Sequence, residues 1–213
     1  MILWTIQDYK VYESMLDTGV LTASYDRVFY DDVQLEAFQP GYNWMVEQMK
    51  KRGMIQPAGA EYPIWAWYQW SGKRKRIDMR SHLGRTDSKV VQLTIDLEEK
   101  DVLLSDYNTF HSVLNYWYLP CTEKDDQDFD NEYKTLGYKW GDWCKKEIQT
   151  PEMSAIRAKI RDSWERIFDT EREDDGYIYG LNSKKCIQAT FWQLRIDQVI
   201  KAEVYPIKSR KIA

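Results

Sequence analysis

The sequence has little cysteine and histidine, and it has no long hydrophobic run. Its three cysteines are widely spaced and odd in number, so neither a disulfide framework nor a CxxC metal knuckle is indicated. Two histidines cannot build a zinc site without other ligands, and we predict no metal centre. No apolar stretch reaches the roughly 18 residues that cross a bilayer, and no signal-type segment begins the chain. We therefore expect a cytoplasmic protein with no membrane partner.

Several enzyme signatures are also absent. There is no GxGxxG, no Walker-type GxxxxGK motif, no HExxH and no GxSxG. Rossmann cofactor binding, Walker-type phosphate binding, zinc protease chemistry and α/β-hydrolase chemistry therefore have no direct support. The formal net charge of −4 argues against a global attraction to nucleic acid, although it leaves room for a local basic patch.

Aromatic residues are abundant: the 213-residue chain contains ten tryptophans and fifteen tyrosines. These side chains bury much apolar area, but the indole N–H and the phenol O–H need hydrogen-bond partners. The composition therefore indicates either a thick core with polar tips or a pocket lined by aromatic rings. The length suits one domain over residues 1–213.

Hydrophobic periodicity predicts the order of helices and strands. Apolar or alternating segments predict strands at 2–6, 62–70, 77–80, 89–97, 186–194 and 199–205. Capping residues and helical spacing predict helices after Asp8, Pro40, Asp106 and Thr150. Residues 122–132 are mostly acidic and polar, which predicts a solvated, mobile loop. The helices are segregated from the strands, so we predict a single α+β domain with a mixed, mostly antiparallel sheet.

Trp65 and Trp67 are the first candidates for a binding site. They lie two residues apart on a predicted strand and therefore share a face, where their rings can form one wall of a slot that stacks a base, a nicotinamide or another planar ligand. The alternative is that both rings fill a core. Arg80, near Asp78, could clamp a phosphate or carboxylate, or form an ordinary ion pair.

A second candidate group follows the predicted strand at 89–97. His111 could act as a general acid or base, with Asn115 one helical turn later orienting a ligand and Asp106 completing the group. Asp106 is equally well explained as a helix cap, and His111 as a packed side chain. Gln188 shares a strand face with Trp192 and could read a base edge or a sugar hydroxyl, or belong to a buried network.

The basic run at 73–76 offers a further contact for phosphates if it lies at the mouth of a groove. The alternative is a solvated hairpin, because four basic residues in an exposed turn need no ligand.

The chain resembles a bacterial family known only as a domain of unknown function. The resemblance covers nearly the whole chain and rests on an ordered set of segments: LWTIQ at 3–7, YNWM at 42–45, WAW at 65–67, Ile77-Asp78 with Arg80, VLLSDY at 102–107, FHSVLN at 110–115 and QATFW at 188–192. It implies no established activity.

The chain also has a weaker similarity to the ADP-ribosyltransferase superfamily. That resemblance places Thr5 on the first strand, a helix ending near Gly19 and Gln188 on a late strand. It implies NAD as cofactor and a catalytic position for Gln188. Independently of this resemblance, Asp106 and His111 are the candidate catalytic residues of a hydrolase or transferase. Gln188 stands where the superfamily has a carboxylate, and an amide cannot supply the negative charge that stabilises an oxocarbenium-like transition state.

Together these observations predict a domain that binds a nucleotide or a nucleic-acid base in an aromatic slot, with ADP-ribosyltransferase-like transfer as the implied enzyme activity. The predicted ligand contacts are Thr5, Trp65, Trp67, Arg80, Asn115 and Trp192. The alternative is a non-catalytic interaction or accessory module of a bacterial mobile-element or defence locus, which holds a protein partner.

Overall fold

A computed structural model describes residues 1–29, 33–79 and 89–205. Its α-helices are α1 (Tyr9–Thr18), α2 (Tyr25–Val28), α3 (Val33–Lys51), α4 (Tyr107–Leu114), α5 (Glu123–Thr135) and α6 (Pro151–Ser163). Its strands are β1 (Ile2–Asp8), β2 (Val20–Thr22), β3 (Ile64–Gln69), β4 (Val90–Asp96), β5 (Leu103–Asp106), β6 (Ile187–Phe191), β7 (Gln193–Arg195) and β8 (Val199–Tyr205). None of these helices is long and apolar enough to cross a membrane.

Six strands form one sheet in the order β5-β6-β3-β1-β4-β8, and β2 pairs with β7 in a separate two-stranded sheet. Every pairing described is antiparallel. The α+β class with a mostly antiparallel sheet is therefore confirmed. The predicted strand at 89–97 corresponds to β4, and the last predicted strand corresponds to β8.

The sheet separates two hydrophobic clusters. On one face Leu3 and Leu93 pack with Met15 of α1. On the other face Trp65 and Leu103 pack in a larger cluster with buried side chains of α3 to α6, including Met45, Phe110, Tyr133 and Ile160. Because side chains alternate along a strand, neighbouring residues of β3 contribute to different clusters. The aromatic richness of the chain lies mainly on the α3–α6 face.

The acidic segment 122–132 was predicted to be a mobile loop, and this prediction is wrong: it forms most of α5. The Thr122 side chain accepts a hydrogen bond from the Asp125 backbone N–H at 3.1 Å, which caps the helix. Three acidic residues in the first turn suit the positive end of the helix dipole. Phe129 and Tyr133, one turn apart, are both buried and fasten the helix to the core.

The predicted strand at 77–80 is also wrong over its described part. Residues 77–79 pair with no strand, and both edges of β3 are already occupied by β1 and β6. Instead, the Ile77 carbonyl accepts a hydrogen bond of 3.0 Å from the buried Gln92 side chain, and Ile77 and Met79 are themselves buried.

Strand register brings distant residues into one row. Ser105 faces Gln188, Gln188 faces Trp67, and Trp67 faces Trp4. Directly opposed residues point to the same face of a sheet, so these four side chains lie side by side. The row places Gln188 beside Trp67 on the face that α3 and α4 partly cover.

Candidate functional site

A cleft of about 340 Å³ opens between this row and helices α3 and α4. We call it the aromatic cleft, and it is lined by Ile6, Tyr42, Trp65, Ala66, Trp67, Tyr107, Phe110, His111, Leu114 and Gln188. Four of the side chains that sequence patterns single out therefore line one concavity: Trp65, Trp67, His111 and Gln188. Small-molecule sites typically have about 300–1,000 Å³, so this cleft is at the small end of that range.

Two groups of rings form its walls. In the first, Trp65 lies against Phe110 at 4.9 Å between ring centroids and against Tyr42 at 5.7 Å. In the second, Tyr107 contacts Trp67 at 4.9 Å in an edge-to-face arrangement. These edge-to-face and tilted contacts hold the rings against one another without a ligand. The walls are therefore preformed.

Gln188 supplies the buried amide of the cleft and is only 5% exposed. Its Nε2 donates to Ser105 Oγ at 3.2 Å. No described residue donates a hydrogen bond to its carbonyl oxygen Oε1. One hydrogen bond thus holds the amide, and Oε1 can still accept a hydrogen bond. A group that recognises the edge of a base needs such an acceptor.

Two more polar groups belong to the first ring group. The indole Nε1 of Trp65 is buried and has no hydrogen-bond acceptor among the described residues. A buried donor left without an acceptor is costly and uncommon, so it marks hydrogen-bonding capacity that the surrounding chain does not use. Burial raises the pKa of Tyr42, so its hydroxyl stays protonated and can donate.

His111 lies on α4, one turn after Tyr107. Its Nδ1 is 3.0 Å from the Tyr107 carbonyl oxygen, and its ring meets the Tyr107 ring edge to face at 4.9 Å. A carbonyl oxygen only accepts hydrogen bonds, so Nδ1 carries the hydrogen. In the neutral ring Nε2 is then an acceptor.

Among the described residues, no Lys, Arg, Asp or Glu lines the aromatic cleft. Positive charge is found next to it. Trp70 meets Trp67 edge to face at 4.7 Å and also lines a neighbouring hollow of about 460 Å³ together with Lys75 and Arg76. Arg76 forms an ion pair with Glu203, whereas the exposed Lys75 has no side-chain partner among the described residues. A neutral aromatic cleft therefore adjoins a charged hollow that Asp78 lines together with the two basic residues.

Asp106 is not in the aromatic cleft. It pairs with Ile187 and directly follows Ser105 in β5. Because side chains alternate along a strand, the Asp106 side chain points to the face of the sheet opposite Ser105 and Gln188. Its Oδ1 accepts hydrogen bonds from the backbone N–H groups of Asn108 and Thr109 and caps α4. Its Oδ2 lies 3.6 Å from Lys185 Nζ, and both side chains are 1% exposed. The geometry supports the helix-cap interpretation and does not bring Asp106 and His111 together.

Thr5 lies on the opposite face as well, because it alternates with Ile6, which lines the cleft. Its hydroxyl donates to the Trp65 carbonyl oxygen at 2.8 Å and accepts from Gln7 Nε2 at 2.7 Å. Thr5 and Gln188 therefore lie on opposite faces of the sheet, and the structure does not bring these two predicted site residues together.

The other predicted contacts lie elsewhere. Asn115 caps the end of α4 and donates from Nδ2 to the His111 carbonyl oxygen at 2.8 Å. Trp192 lines a different hollow, where its Nε1 donates to the Met54 carbonyl oxygen at 3.3 Å. Arg80 lies outside the described residues.

Sequence patterns missed Tyr42, Tyr107 and Phe110 as cleft residues. Sequence patterns place Phe110 only in the buried stripe of its helix and Tyr42 only on the periodic face of α3. The available signal was the helical spacing of Tyr107, Phe110, His111 and Leu114, which places all four along one side of α4. Among the described residues, no group of His, Cys, Asp and Glu side chains is arranged to hold a metal ion.

Comparison with known proteins gives a family without an activity. No curated protein and no solved structure matches the chain. One family model, described as a domain of unknown function, DUF3841, matches residues 2–200. The match covers nearly the whole chain, and the chain therefore belongs to the DUF3841 family.

Proposed function

We propose that this protein binds a nucleobase in the aromatic cleft, as part of a nucleotide or of single-stranded nucleic acid. The observation that carries the proposal is the meeting of Trp65, Trp67, His111 and Gln188 in one concavity. Stacking on aromatic rings and hydrogen bonding to a base edge are the two interactions by which proteins hold an unpaired base. Here the indoles supply the first interaction, and Gln188 and His111 supply the second.

The size and charge of the cleft favour a base over a dinucleotide. A volume of about 340 Å³ suits one base or nucleoside better than NAD. An uncharged lining suits a neutral heterocycle. It offers no interaction that would offset the free-energy cost of removing a phosphate from water. The phosphate of a nucleotide could instead reach Lys75 in the adjoining charged hollow, across the contact between Trp67 and Trp70.

No chemical step is part of the proposal. The lining residues that the structure describes include His111 but no carboxylate. The Asp106 side chain caps α4 and pairs with Lys185 on the other face of the sheet. ADP-ribosyl transfer would need a group that stabilises positive charge on a ribose, and the lining residues supply none. Binding without turnover is compatible with the alternative prediction of an accessory module, which stays a prediction.

A ligand panel tests the proposal. Thermal shifts and calorimetry with the four ribonucleosides, their 5′-monophosphates and short single-stranded oligonucleotides should show saturable binding of at least one of them. Replacing Trp67→Leu should weaken that binding by roughly 5- to 150-fold, because stacking on an aromatic ring contributes about 1–3 kcal/mol per base.

Trp140→Leu is the matched control, since Trp140 is 65% exposed and is not a cleft residue. It should leave base binding unchanged. If no ligand in the panel binds, or if both variants weaken binding equally, the aromatic cleft is not a base site. Lys75→Ala distinguishes ligands with a phosphate from those without one. It should weaken the binding of nucleotides and oligonucleotides at low salt and leave the binding of nucleosides unchanged.

A further inference from the structure

We propose a second binding site, separate from the aromatic cleft, for an organic ammonium ion such as a quaternary ammonium group. The site is a hollow of about 210 Å³ between the end of α4, helix α5 and the turn at 139–144. Three tryptophans define what we call the indole cage: Trp117, Trp140 and Trp143. The inference does not depend on base binding.

Exposure of the indoles is the first observation. Trp140 is 65% exposed and Trp117 is 41% exposed, and their ring centroids lie 6.2 Å apart. Trp143 is buried and anchors the pair, with its ring 5.9 Å from Trp140 and its Nε1 donating to the Tyr116 carbonyl oxygen at 2.8 Å. Large aromatic rings grouped at the surface cost solvation free energy and mark binding surfaces.

The second observation is negative charge beside the rings. The carboxylates of Asp126 and Asp130 line the same hollow. Asp130 is ion-paired with Lys134, whereas Asp126 accepts a hydrogen bond of 2.8 Å from the Tyr177 hydroxyl. Asp126 forms no ion pair with a described residue. Its hydrogen bond raises the pKa of Tyr177 to about 12, which is consistent with a local field that favours positive charge.

The third observation concerns cations already present. Lys159 lies 5.9 Å from the Phe129 ring centroid, and Arg166 lies 5.4 Å from that of Tyr118. The rings of Phe129 and Tyr118 both line the hollow, so Lys159 and Arg166 already place positive charge on this aromatic cluster. Trp117, Trp140 and Trp143 have no cation from the described residues over their faces. The exposed rings without a cation are those of Trp117 and Trp140, and tryptophan is the ring type that binds cations best.

Rings and carboxylate together specify the ligand. An aromatic ring attracts a cation through its quadrupole, and a weakly hydrated alkylammonium group costs less to desolvate than a bare ammonium ion. A neutral or anionic ligand gains no charge attraction from Asp126. The chemistry therefore fits an alkylated ammonium group, carried either by a small molecule or by a methylated lysine side chain.

Choline and its uncharged isostere 3,3-dimethyl-1-butanol test the role of charge. We expect saturable quenching of tryptophan fluorescence by choline and tetramethylammonium, with the isostere at least about tenfold weaker. A peptide containing trimethyllysine distinguishes the two sources of the group: tighter binding than choline indicates a protein ligand, and equal or weaker binding indicates a small molecule. Equal binding of choline and the isostere, or no saturable response to any cation, would overturn the proposal.

Variants locate the site. Trp140→Ala should weaken choline binding about fivefold or more, and Asp126→Asn should weaken it about threefold or more. The matched control is Asp128→Asn, because Asp128 lies on the same helix and is paired with the exposed Lys124 outside the hollow. It should change binding less than twofold. Circular dichroism verifies folding of each variant, and a folded Trp140→Ala protein that binds choline normally contradicts the assignment.

Discussion

Lys185 and Asp106 form the most buried ion pair described in the chain, and the pair supports the start of α4. Lys185 Nζ donates hydrogen bonds to the carbonyl oxygens of Thr170 and Arg172 and lies 3.6 Å from Asp106 Oδ2. Asp106 in turn caps the helix that carries Tyr107 and His111. A side chain predicted as catalytic thus acts on the aromatic cleft indirectly, through the placement of α4.

Removing one partner of this pair should destabilise the fold. We predict that Lys185→Met lowers the free energy of unfolding by about 3–5 kcal/mol, because it leaves the buried Asp106 carboxylate without a counter-ion. Urea denaturation measures the change. The control is Lys145→Met, which breaks a pair with Asp142 in which the lysine is 56% exposed, and which should cost less than about 1 kcal/mol. Equal losses for the two variants would contradict the structural role of Lys185.

Single side chains were predictable from sequence where the controlling interaction is local. The capping role of Asp106 follows from its position before a helical stripe, and the shared face of Trp65 and Trp67 follows from strand alternation. The pairing of Trp67 with Gln188 was not predictable, because register between strands far apart in sequence depends on the whole sheet. For the same reason, no local pattern indicated that Thr5 faces away from the cleft.

At the scale of elements, α5 shows that a high content of charged residues can lead to a helix being predicted as a loop. Counting acidic residues favoured a loop, although Thr122, the acidic first turn and the spacing of Phe129 and Tyr133 are all helix signals. The apolar face of α5 is narrow, so its hydrophobic periodicity is a weaker sequence signal than the high content of acidic residues. The helix from Pro151 was predicted correctly because its stripe is long and Thr150 with Pro151 marks its start.

The cap of α5 gives a prediction at this scale. Thr122→Ala should reduce the free energy of unfolding by about 1 kcal/mol, since it removes the acceptor for the Asp125 N–H. Ser24→Ala is a matched control, because Ser24 precedes α2 and its side chain makes no capping hydrogen bond. It should change the stability by less than about 0.5 kcal/mol. Thermal unfolding distinguishes the two, and an unchanged Thr122→Ala protein would show that the cap contributes nothing.

At the scale of the whole molecule, the two proposed sites both involve the aromatic residues of the α3–α6 side of the fold. β3, β6 and α4 contribute to the aromatic cleft, while the segment after α4, helix α5 and the turn at 139–144 build the indole cage. Sequence patterns predicted the fold class and four residues of the cleft. They did not predict the cage, because its rings come from segments whose contact depends on α5 being a helix.

The central claim is that Trp65 and Trp67 face a ligand rather than only the core. NMR spectroscopy of protein labelled with ¹⁵N-tryptophan, which contains ten indoles, tests it most directly by following each indole N–H signal as nucleosides and nucleotides are added. The account predicts that the Trp65 and Trp67 signals shift saturably with at least one ligand, whereas those of the exposed Trp140 and the fully buried Trp164 stay in place. Signals of Trp65 and Trp67 that do not move with any base, or that move only together with all the others, would contradict it.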